Sequence, residues 1–282
     1  MTTQTTPRIS FEFFPPKTET MEEALFRAVG HLKIFAPHFV SVTYGASGST
    51  RERTHACVSR LHRDYGLNVA AHLTCVGASR AAIDAIAAAY WRDGIRHIVA
   101  LRGDPPEGQT VYQPAADGYA YATDLVAGLK ACADFEITVG AYPETHPEAI
   151  SAEADLDNLK RKMMAGASRA ITQFFLDTDA FFRFRDRAVR AGITIPIIPG
   201  ILPIANFARA AEFATRCGAS IPATVSDRFT DIPADDPRHR AIALDFACEQ
   251  IDALRHGDVM DFHFYTLNRA DLVAPLCERL QS

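Results

Sequence analysis

The chain has 282 residues, of which 48% are hydrophobic and 22% are charged, and its formal net charge is −5. This balance excludes a disordered tail, and the ordinary content of 16 glycines and 16 prolines excludes a collagen-like fibre. A mildly acidic chain has no general electrostatic attraction to nucleic acid or to anionic membranes, so we expect neither as a partner.

Six cysteines are dispersed along the chain without a Cys-x-x-Cys pair, at Cys57, Cys75, Cys132, Cys217, Cys248 and Cys277. In a chain of this length, this distribution predicts reduced, mostly buried thiols rather than a disulfide framework. Residues 1–8 are polar and lack the apolar stretch of a signal peptide. Because no apolar run approaches the roughly 20 residues needed to span a bilayer, we expect a cytoplasmic, soluble enzyme or binding protein.

Short apolar segments alternate with longer segments of helical period along the chain. The predicted strands are residues 9–14, 38–44, 68–75, 97–101, 136–141, 169–176, 195–201 and 261–267. The predicted helices are residues 21–34, 54–64, 80–92, 122–133, 152–165, 179–191, 206–216, 241–254 and 270–280. These segments form eight strand–helix units, with one extra helix before the eighth strand.

The predicted strands are apolar on both faces, which is typical of parallel strands covered by helices. Eight such units are the number that closes an α/β (β/α)₈ TIM barrel. An open, doubly wound sheet is the alternative, but no glycine fingerprint follows the first strand, where a dinucleotide-binding sheet would carry one. The chain has no linker or low-complexity tract, so we interpret residues 1–282 as a single barrel domain.

Catalytic groups of such a barrel lie where the strands end. Polar residues at these positions include Glu12, Thr43, Tyr44, His72, Arg102, Asp104, Tyr142, Gln173, Tyr265 and Asn268. Glu12 lies between Phe11 and Phe13, so the alternation of a strand points its carboxyl group into the barrel if the two rings pack outward. A carboxyl group in a dry site has a raised pKa and can donate a proton near neutrality. The alternative is a structural ion pair between Glu12 and an arginine.

Other strand-end residues also allow two interpretations. His72 is either part of a site or a hydrogen-bonded core histidine. Arg102 and Asp104 either form a local ion pair or flank a ligand, since Gly103 between them permits close approach of the backbone. Four polar residues of the fifth helix share a helical spacing and form either a solvated face or a phosphate-binding patch: Asp155, Asn158, Arg161 and Lys162.

Several familiar motifs are absent or incomplete. Residues 103–110 have the glycine spacing of a P-loop, but Gln109 replaces the phosphate-binding lysine and two prolines remove backbone donors. None of the five lysines lies in a predicted strand, which argues against a Schiff-base aldolase. His72, Asp104 and His146 imitate metal ligands, but their spacing is not distinctive, and we expect no catalytic metal.

An ordered set of motifs, located mainly at the predicted strand ends, resembles the methylenetetrahydrofolate reductase family in its bacterial, single-domain form. The motifs are SFEFFPP (10–16), SVTYG (41–45), HLTC (72–75), ALRGD (100–104), YPE (142–144), HPEA (146–149), ITQFF (171–175), PGILP (199–203) and FHFYTLNR (262–269). The resemblance implies a (β/α)₈ barrel that holds FAD, oxidises NADH or NADPH and reduces 5,10-methylenetetrahydrofolate to 5-methyltetrahydrofolate in a ping-pong reaction. It also implies a homo-oligomer.

The resemblance assigns roles to individual residues. Glu12 would be the general acid and Asp104 an electrostatic stabiliser of the developing cation. The residues implied for FAD are Tyr44, Ala46, His72, Arg102, Gly103, Asp104, Tyr142, His146, Ala149, Asp155, Asn158, Arg161 and Lys162. Those implied for folate or nicotinamide nucleotide are Thr43, Gln173, Arg209, Phe213 and Arg269. From sequence alone, a phenylalanine at the position of Phe213 is more often a core residue of its helix.

Three features depart from the family pattern. The loop after Asp104 is longer and carries Tyr112, Tyr119 and Tyr121; Arg209 replaces an expected glutamine; and Thr224 replaces an expected tryptophan. Two other functions stay open at this point. One is a metal-dependent barrel hydrolase that uses His72, Asp104 and His146, and the other is a catalytically inactive barrel that only binds a ligand or partner.

Overall fold

Segments rich in β-branched and aromatic residues form parallel strands in the computed structural model, which describes residues 6–44, 51–105, 108 and 112–281. Within these residues the strands are β1 (Arg8–Phe13), β2 (Phe39–Val42), β3 (Val69–Thr74), β4 (His97–Leu101), β5 (Glu136–Ala141), β6 (Arg169–Thr172), β7 (Ile197–Ile198), β8 (Gly200–Ile201) and β9 (Asp261–Tyr265). All of the strand pairings are parallel, as the two-sided apolar pattern of the strands predicts.

Helices connect successive strands and cover the outside of the sheet. They are α1 (Glu19–Leu32), α2 (Arg51–Tyr65), α3 (Arg80–Arg92), α4 (Ala122–Cys132), α5 (Ala152–Met164), α6 (Thr178–Arg190), α7 (Phe207–Cys217), α8 (Ala223–Ser226), α9 (Pro237–His256) and α10 (Val273–Gln281). Polar side chains cap several of them; for example, Ser79 accepts a hydrogen bond from Ala82 N–H at the start of α3.

The seventh barrel strand closes the sheet in two short pieces. The strand order is β7-β6-β5-β4-β3-β2-β1-β9-β8, so β7 pairs with β6 on one side and β8 pairs with β9 on the other. Pro199 separates the two pieces and lacks an N–H group for the ladder, but its carbonyl oxygen accepts a hydrogen bond from His263 N–H at 3.1 Å. The predicted (β/α)₈ barrel is confirmed.

The two faces of each strand have different surroundings. Outward residues such as Phe11 and Phe13 are fully buried with Leu25 and Val29 of α1 in the layer between sheet and helices. Inward residues from five strands fill the middle of the barrel with an apolar plug, which consists of Phe39, Ala70, Val99, Ile171 and Ile198. This plug closes the lower barrel, so polar groups at the upper strand ends are the ones that face an open mouth.

The main differences from the predicted elements have local causes. β6 ends at Thr172 rather than at residue 176, because the Gln173 side chain accepts the hydrogen bond of Phe174 N–H. The extra helix, α9, begins earlier than residue 241, since Asp236 caps it and Pro237 opens its first turn. The short α8 lies in the region between α7 and α9.

The six cysteines are free; Cys57, Cys75 and Cys277 are buried, whereas Cys132 is exposed. The prediction of reduced thiols agrees with this arrangement, and the prediction that most are buried is met by half of them. Among the described residues, no helix has both the length and the apolarity that a membrane crossing requires.

Replacement of glycine by alanine should have opposite effects on stability at two positions. A Cβ atom added to Gly200 would lie 2.6 Å from Cε2 of Tyr265 and would also collide with the Thr172 carbonyl oxygen. Gly200→Ala should therefore lower the free energy of unfolding by about 2–3 kcal/mol. Gly30 in α1 has no atom within 4 Å of such a Cβ, so Gly30→Ala should raise it by about 0.5–1 kcal/mol. Urea unfolding of both variants measures the two effects, and equal stabilities would contradict the packing described for Gly200.

Candidate active site

Glu12 points into the barrel mouth, as its position between two phenylalanines predicts. Its side chain is 22% exposed, and its Oε2 atom lies 3.4 Å from Nε2 of His72 and 3.9 Å from Nε2 of His263. Among the described residues, the basic side chains within 4.0 Å of the Glu12 carboxylate are these two histidines, and none is an arginine. The structural ion pair with an arginine, the alternative from the sequence, is therefore not the arrangement found.

Hydrogen bonding favours one tautomer of His263. The Ser10 hydroxyl donates to the Phe262 carbonyl oxygen at 3.1 Å, so its oxygen is left to accept from Nδ1–H of His263 at 2.8 Å. In the neutral ring, Nε2 of His263 then carries a lone pair and faces Glu12. His263 is completely buried, and its Nε2 has no hydrogen-bond partner among the described residues.

His72 faces Glu12 from β3. Burial lowers the pKa of His72, while the charge of Glu12 opposes that change, so the ring stays neutral at pH 7. Nε2 of His72 is buried and is not aligned for a hydrogen bond with Glu12. A core histidine of the ordinary kind would have that atom satisfied, so the geometry favours the interpretation of His72 as a site residue.

Arg102 at the end of β4 is held by Glu148 of the loop after β5. The two side chains form a bidentate pair, with Nη2 of Arg102 at 2.9 Å from Oε1 of Glu148. The guanidinium also lies over the ring of Tyr112, 4.6 Å from its centroid. The hydrogen bond to Glu148 raises the pKa of Arg102 and lowers that of Glu148. The bidentate partner of Arg102 is thus Glu148, not Asp104 as the local ion-pair alternative had it.

The loop after β5 is fixed by hydrogen bonds at both ends. His146 N–H donates to Asp155 at 2.8 Å, and the Glu144 carboxylate accepts from Ser220 N–H at 3.0 Å. Thr145 between them has φ of 91°, which is rare for a β-branched residue. Such strain persists only where the surroundings enforce it, and here the two anchored neighbours do so. His146 also contacts Tyr142 edge-on, at 4.5 Å between ring centroids.

Helix α5 places one cation inside the protein and one outside. Lys162 is 8% exposed, and its ammonium group donates to the Gly140 carbonyl oxygen at 2.6 Å. Burial lowers the pKa of Lys162 to about 8, and the charge of Asp155 opposes this shift. Arg161 is exposed and Asn158 is half-buried. The four polar residues therefore do not form the uniformly solvated face that was the alternative.

Helix α7 brings an aromatic ring to the mouth. Phe213 stacks on Phe174 at 5.2 Å between centroids, yet 38% of the residue is exposed. It is therefore not the fully buried core residue that the sequence allowed as an alternative. One turn further, Cys217 accepts a hydrogen bond from the Gln173 side chain at 3.4 Å, which links α7 to the end of β6. Arg216 lies over the Phe213 ring at 5.5 Å.

The other predicted substrate residues are more dispersed. Arg269 forms a bidentate pair with Asp271, with its Nη2 at 2.7 Å from Oδ2, and lines a groove between α1 and α10. Arg209 is exposed in the first turn of α7, and Thr43 follows β2 with its N–H bonded to the Phe13 carbonyl oxygen. Asp104 is exposed, and its charge contributes to the raised pKa of Tyr142, which burial brings to about 12.

The structure gives some loop residues a different role from the one expected. A Cβ atom on Gly103 would lie 2.6 Å from Cγ1 of Val76, and φ of Gly103 is 87°. Contact with the protein itself therefore already requires glycine there, without a ligand. Tyr119 is buried and donates to Asp84 at 2.7 Å, so it is a packing residue.

Two other predicted cofactor residues lie beside the β2 and β5 ends. Tyr44 follows β2 and packs against the main core, and Ala149 is half-buried in a turn closed by its N–H bond to His146. Ala46 lies outside the described residues. Thr224 is exposed in α8, and nothing in the structure explains why it replaces a tryptophan.

Sequence reasoning did not assign roles to Ser10, His263 or Glu148. A signal for the first two was available, because Ser10 shares the inward alternation of Glu12 and pairs in register with His263 of β9. Glu148 stood in the quoted HPEA motif, but its partner across the mouth could not be read from spacing. In the described part of the chain, no group of three His, Cys, Asp or Glu side chains is arranged to hold a metal ion, so the hydrolase ligand set does not form there.

Comparison with known proteins gives concordant results. The methylenetetrahydrofolate reductase family profile matches residues 1–281. The chain is 49% identical to the 5,10-methylenetetrahydrofolate reductase of Salmonella typhimurium and 48% identical to that of Escherichia coli, each over 272 residues that cover 96% of this chain and 90% of the relative.

Among solved structures, a Clostridium thermocellum protein described as binding two copies of 5-methyl-5,6,7,8-tetrahydrofolic acid is similar in fold. Its TM-score is 0.62 at 14% identity, and the match covers 98% of this chain and 94% of that one. At that identity the likeness supports the barrel fold alone. The match of the family profile over nearly the whole length, together with the identity to the bacterial enzymes, shows that the chain belongs to the methylenetetrahydrofolate reductase family.

Proposed function

We propose that this protein reduces 5,10-methylenetetrahydrofolate to 5-methyltetrahydrofolate with NADH or NADPH as the electron donor and FAD as the cofactor. The observation that carries the proposal is the carboxyl group of Glu12, which faces two buried and unsatisfied histidine nitrogens at the barrel mouth. Membership of the family indicates the reaction. The Glu12 carboxyl group at the mouth is a group that can hold and release the proton that this reaction needs.

The residues proposed for FAD fit an anionic, aromatic group. Lys162 provides a buried positive charge, Arg102 and Tyr142 line the ends of β4 and β5, and Nε2 of His72 offers an unsatisfied buried atom. Arg161 and Lys162 would meet the pyrophosphate. When bound, FAD supplies the two-electron relay between the nicotinamide and the folate. Because both substrates would use the same face in turn, the kinetics would be ping-pong.

Glu12 is proposed as the general acid. Its carboxyl proton would pass to N10 of the folate, and the bond between N10 and the bridging carbon would break with its electron pair going to N10. The lone pair of N5 would then form a double bond to that carbon. The product is an iminium cation that is ready to accept a hydride. His263 supports this role, since the lone pair on its Nε2 can accept a hydrogen bond from the acid form of Glu12. A positioned acid of this kind contributes about 10²–10⁴-fold to rate.

The other residues of the mouth would orient the substrates. The carboxylate of Asp104 would stabilise the iminium cation, and Phe213 would stack on the pterin or nicotinamide ring with its exposed face. Gln173 would donate a hydrogen bond to the substrate in place of its present bond to Cys217. Thr43 would contact the nucleotide, while Arg209 and Arg269 would attract the glutamate tail of the folate.

The first experiment is spectroscopic. The purified protein should be yellow, should bleach when NADH or NADPH is added anaerobically, and should regain its colour when methylenetetrahydrofolate follows. Stopped-flow records of the two half-reactions, with each nucleotide in turn, also decide the preferred donor. A colourless protein that binds no added FAD, or a reduced flavin that folate does not reoxidise, would contradict the proposal.

Glu12→Gln should separate the two half-reactions. The amide keeps the size of the side chain but has no proton to give at N10, so reoxidation of the flavin by folate should slow at least ~10²-fold. Reduction of the flavin by nucleotide needs no acid and should stay within about twofold of wild type. Single-turnover absorbance measures both rates. Equal slowing of the two half-reactions would contradict the role of Glu12 as general acid.

Lys162 predicts a pH-dependent stability of the flavin-free protein. Its pKa of about 8 in the folded protein lies below the ordinary value of 10.5. The unfolded chain therefore holds a proton that the folded chain loses across this window, and stability should rise as pH rises from 8 to 10.5. Lys162→Met lacks this contribution. The stability of wild type relative to this variant should thus increase by about 3 kcal/mol over the window, at about 1.4 kcal/mol for each pH unit.

Urea unfolding of the flavin-free proteins at pH 7.5 and at pH 10.5 measures this difference. Lys160→Met is a substitution of the same kind at a partly exposed position of the same helix, and it serves as the control for losing a lysine at these pH values. If the difference in unfolding free energy between wild type and Lys162→Met is the same at both pH values, the ammonium group is not buried in the folded chain.

A further inference from the structure

At the end of β1, the backbone needs hydrogen-bond partners that the neighbouring strands do not provide. Phe14 follows the last residue of β1, and Pro15 and Pro16 follow Phe14. Prolines have no N–H group, so the parallel ladder cannot continue through them. The N–H and carbonyl groups of Phe14, two residues beyond Glu12, face the side of β9, which ends at Tyr265. They therefore take partners from outside the ladder.

The side chain of Asn268 supplies both partners. Its Oδ1 accepts from Phe14 N–H at 3.0 Å, and its Nδ2 donates to the Phe14 carbonyl oxygen at 2.9 Å. A primary amide presents the same donor and acceptor as a peptide group, so Asn268 extends the sheet by one residue. Leu267 and Asn268 have φ of 50° and 57°, a left-handed turn that directs the side chain back to β1.

Thr266 holds the carbonyl group of Glu12 itself. Its hydroxyl donates to the Glu12 oxygen at 2.6 Å, and its N–H donates to the same oxygen at 3.2 Å. Asn268 N–H in turn donates to the Thr266 hydroxyl oxygen at 3.1 Å. One short segment after β9 thus fixes the backbone at Glu12 and at Phe14. The same strand carries His263, which faces the Glu12 carboxyl group.

We propose that Asn268, acting through Thr266 and Phe14, is a positioning residue for the Glu12 carboxyl group. This inference rests on the proposed role of Glu12 as proton donor. The latch, defined as the hydrogen bonds of Thr266 and Asn268 to Glu12 and Phe14, keeps the acid in register with His263. Because a misplacement of about 1 Å can cost about 10²-fold in reaction rate, loosening the latch should slow the folate step without removing the acid.

The test variant is Asn268→Gly, since glycine adopts the positive φ of this position without strain and only the side-chain bonds are lost. The control is Asn68→Ala. Asn68 also donates from its side chain to a backbone oxygen, that of His38 at 3.2 Å, but at the opposite end of the barrel. Amide hydrogen exchange first shows whether residues 12–14 lose protection in Asn268→Gly and keep it in Asn68→Ala.

In Asn268→Gly, we expect flavin reduction by nucleotide within twofold of wild type. Flavin reoxidation at saturating folate should be at least tenfold slower, with a smaller change in the folate KM and a displaced pH profile. Asn68→Ala should match wild type in both half-reactions. Thr266→Val, which keeps the side-chain shape and removes the hydroxyl, should slow the same step and replaces Asn268→Gly if that variant does not fold.

The latch would be overturned by an unchanged folate half-reaction in Asn268→Gly or, where that variant does not fold, in Thr266→Val. Equal slowing of both half-reactions in the variant tested would also overturn it, because a general loosening of the mouth would then explain the effect. Failure of the proposed function looks different: wild type itself would not reduce folate, or Glu12→Gln would reduce it at the wild-type rate.

Discussion

The alternation of β1 is the constraint on which the mouth depends. Phe11 and Phe13 are fully buried between the sheet and α1, and this packing leaves Glu12 no orientation except inward. A shift of one residue in register would bury the carboxyl group among helices and place a phenylalanine at the mouth. The outer core therefore determines the position of the acid, and the fold and the site depend on the same strand.

The barrel interior adds a second constraint, because its lower part is filled. The apolar plug around Phe39 separates the mouth from the ion pairs at the lower end, such as Arg8 with Asp261 at 2.6 Å. Polar inward groups above the plug have few protein partners, which explains why Nε2 of His72 and of His263 remain unsatisfied. Buried polar atoms of this kind are costly to stability, so they are expected where a ligand completes the hydrogen bonding.

The sequence was sufficient for the barrel, the number of strand–helix units and the inward orientation of Glu12. These features depend on periodicity and on alternation, which are local properties. The break of the seventh strand at Pro199 was not predicted, since it arises from pairing with two different neighbours. The same limit applies to Glu148 and to Asn268, whose partners lie 46 and 254 residues away. The packing role of Gly103 against Val76 likewise depends on a loop that sequence spacing does not locate.

The pairing of Arg102 with Glu148 has a consequence for how firmly the ends of β4 and β5 are joined. The ion pair joins the segment that follows β4 to the loop after β5, and 52% of the Glu148 side chain is exposed to solvent. An ion pair in contact with water weakens as salt is added. The strength of this contact thus depends on ionic strength, and a polyanionic molecule arriving from solution would compete with Glu148 for the same guanidinium.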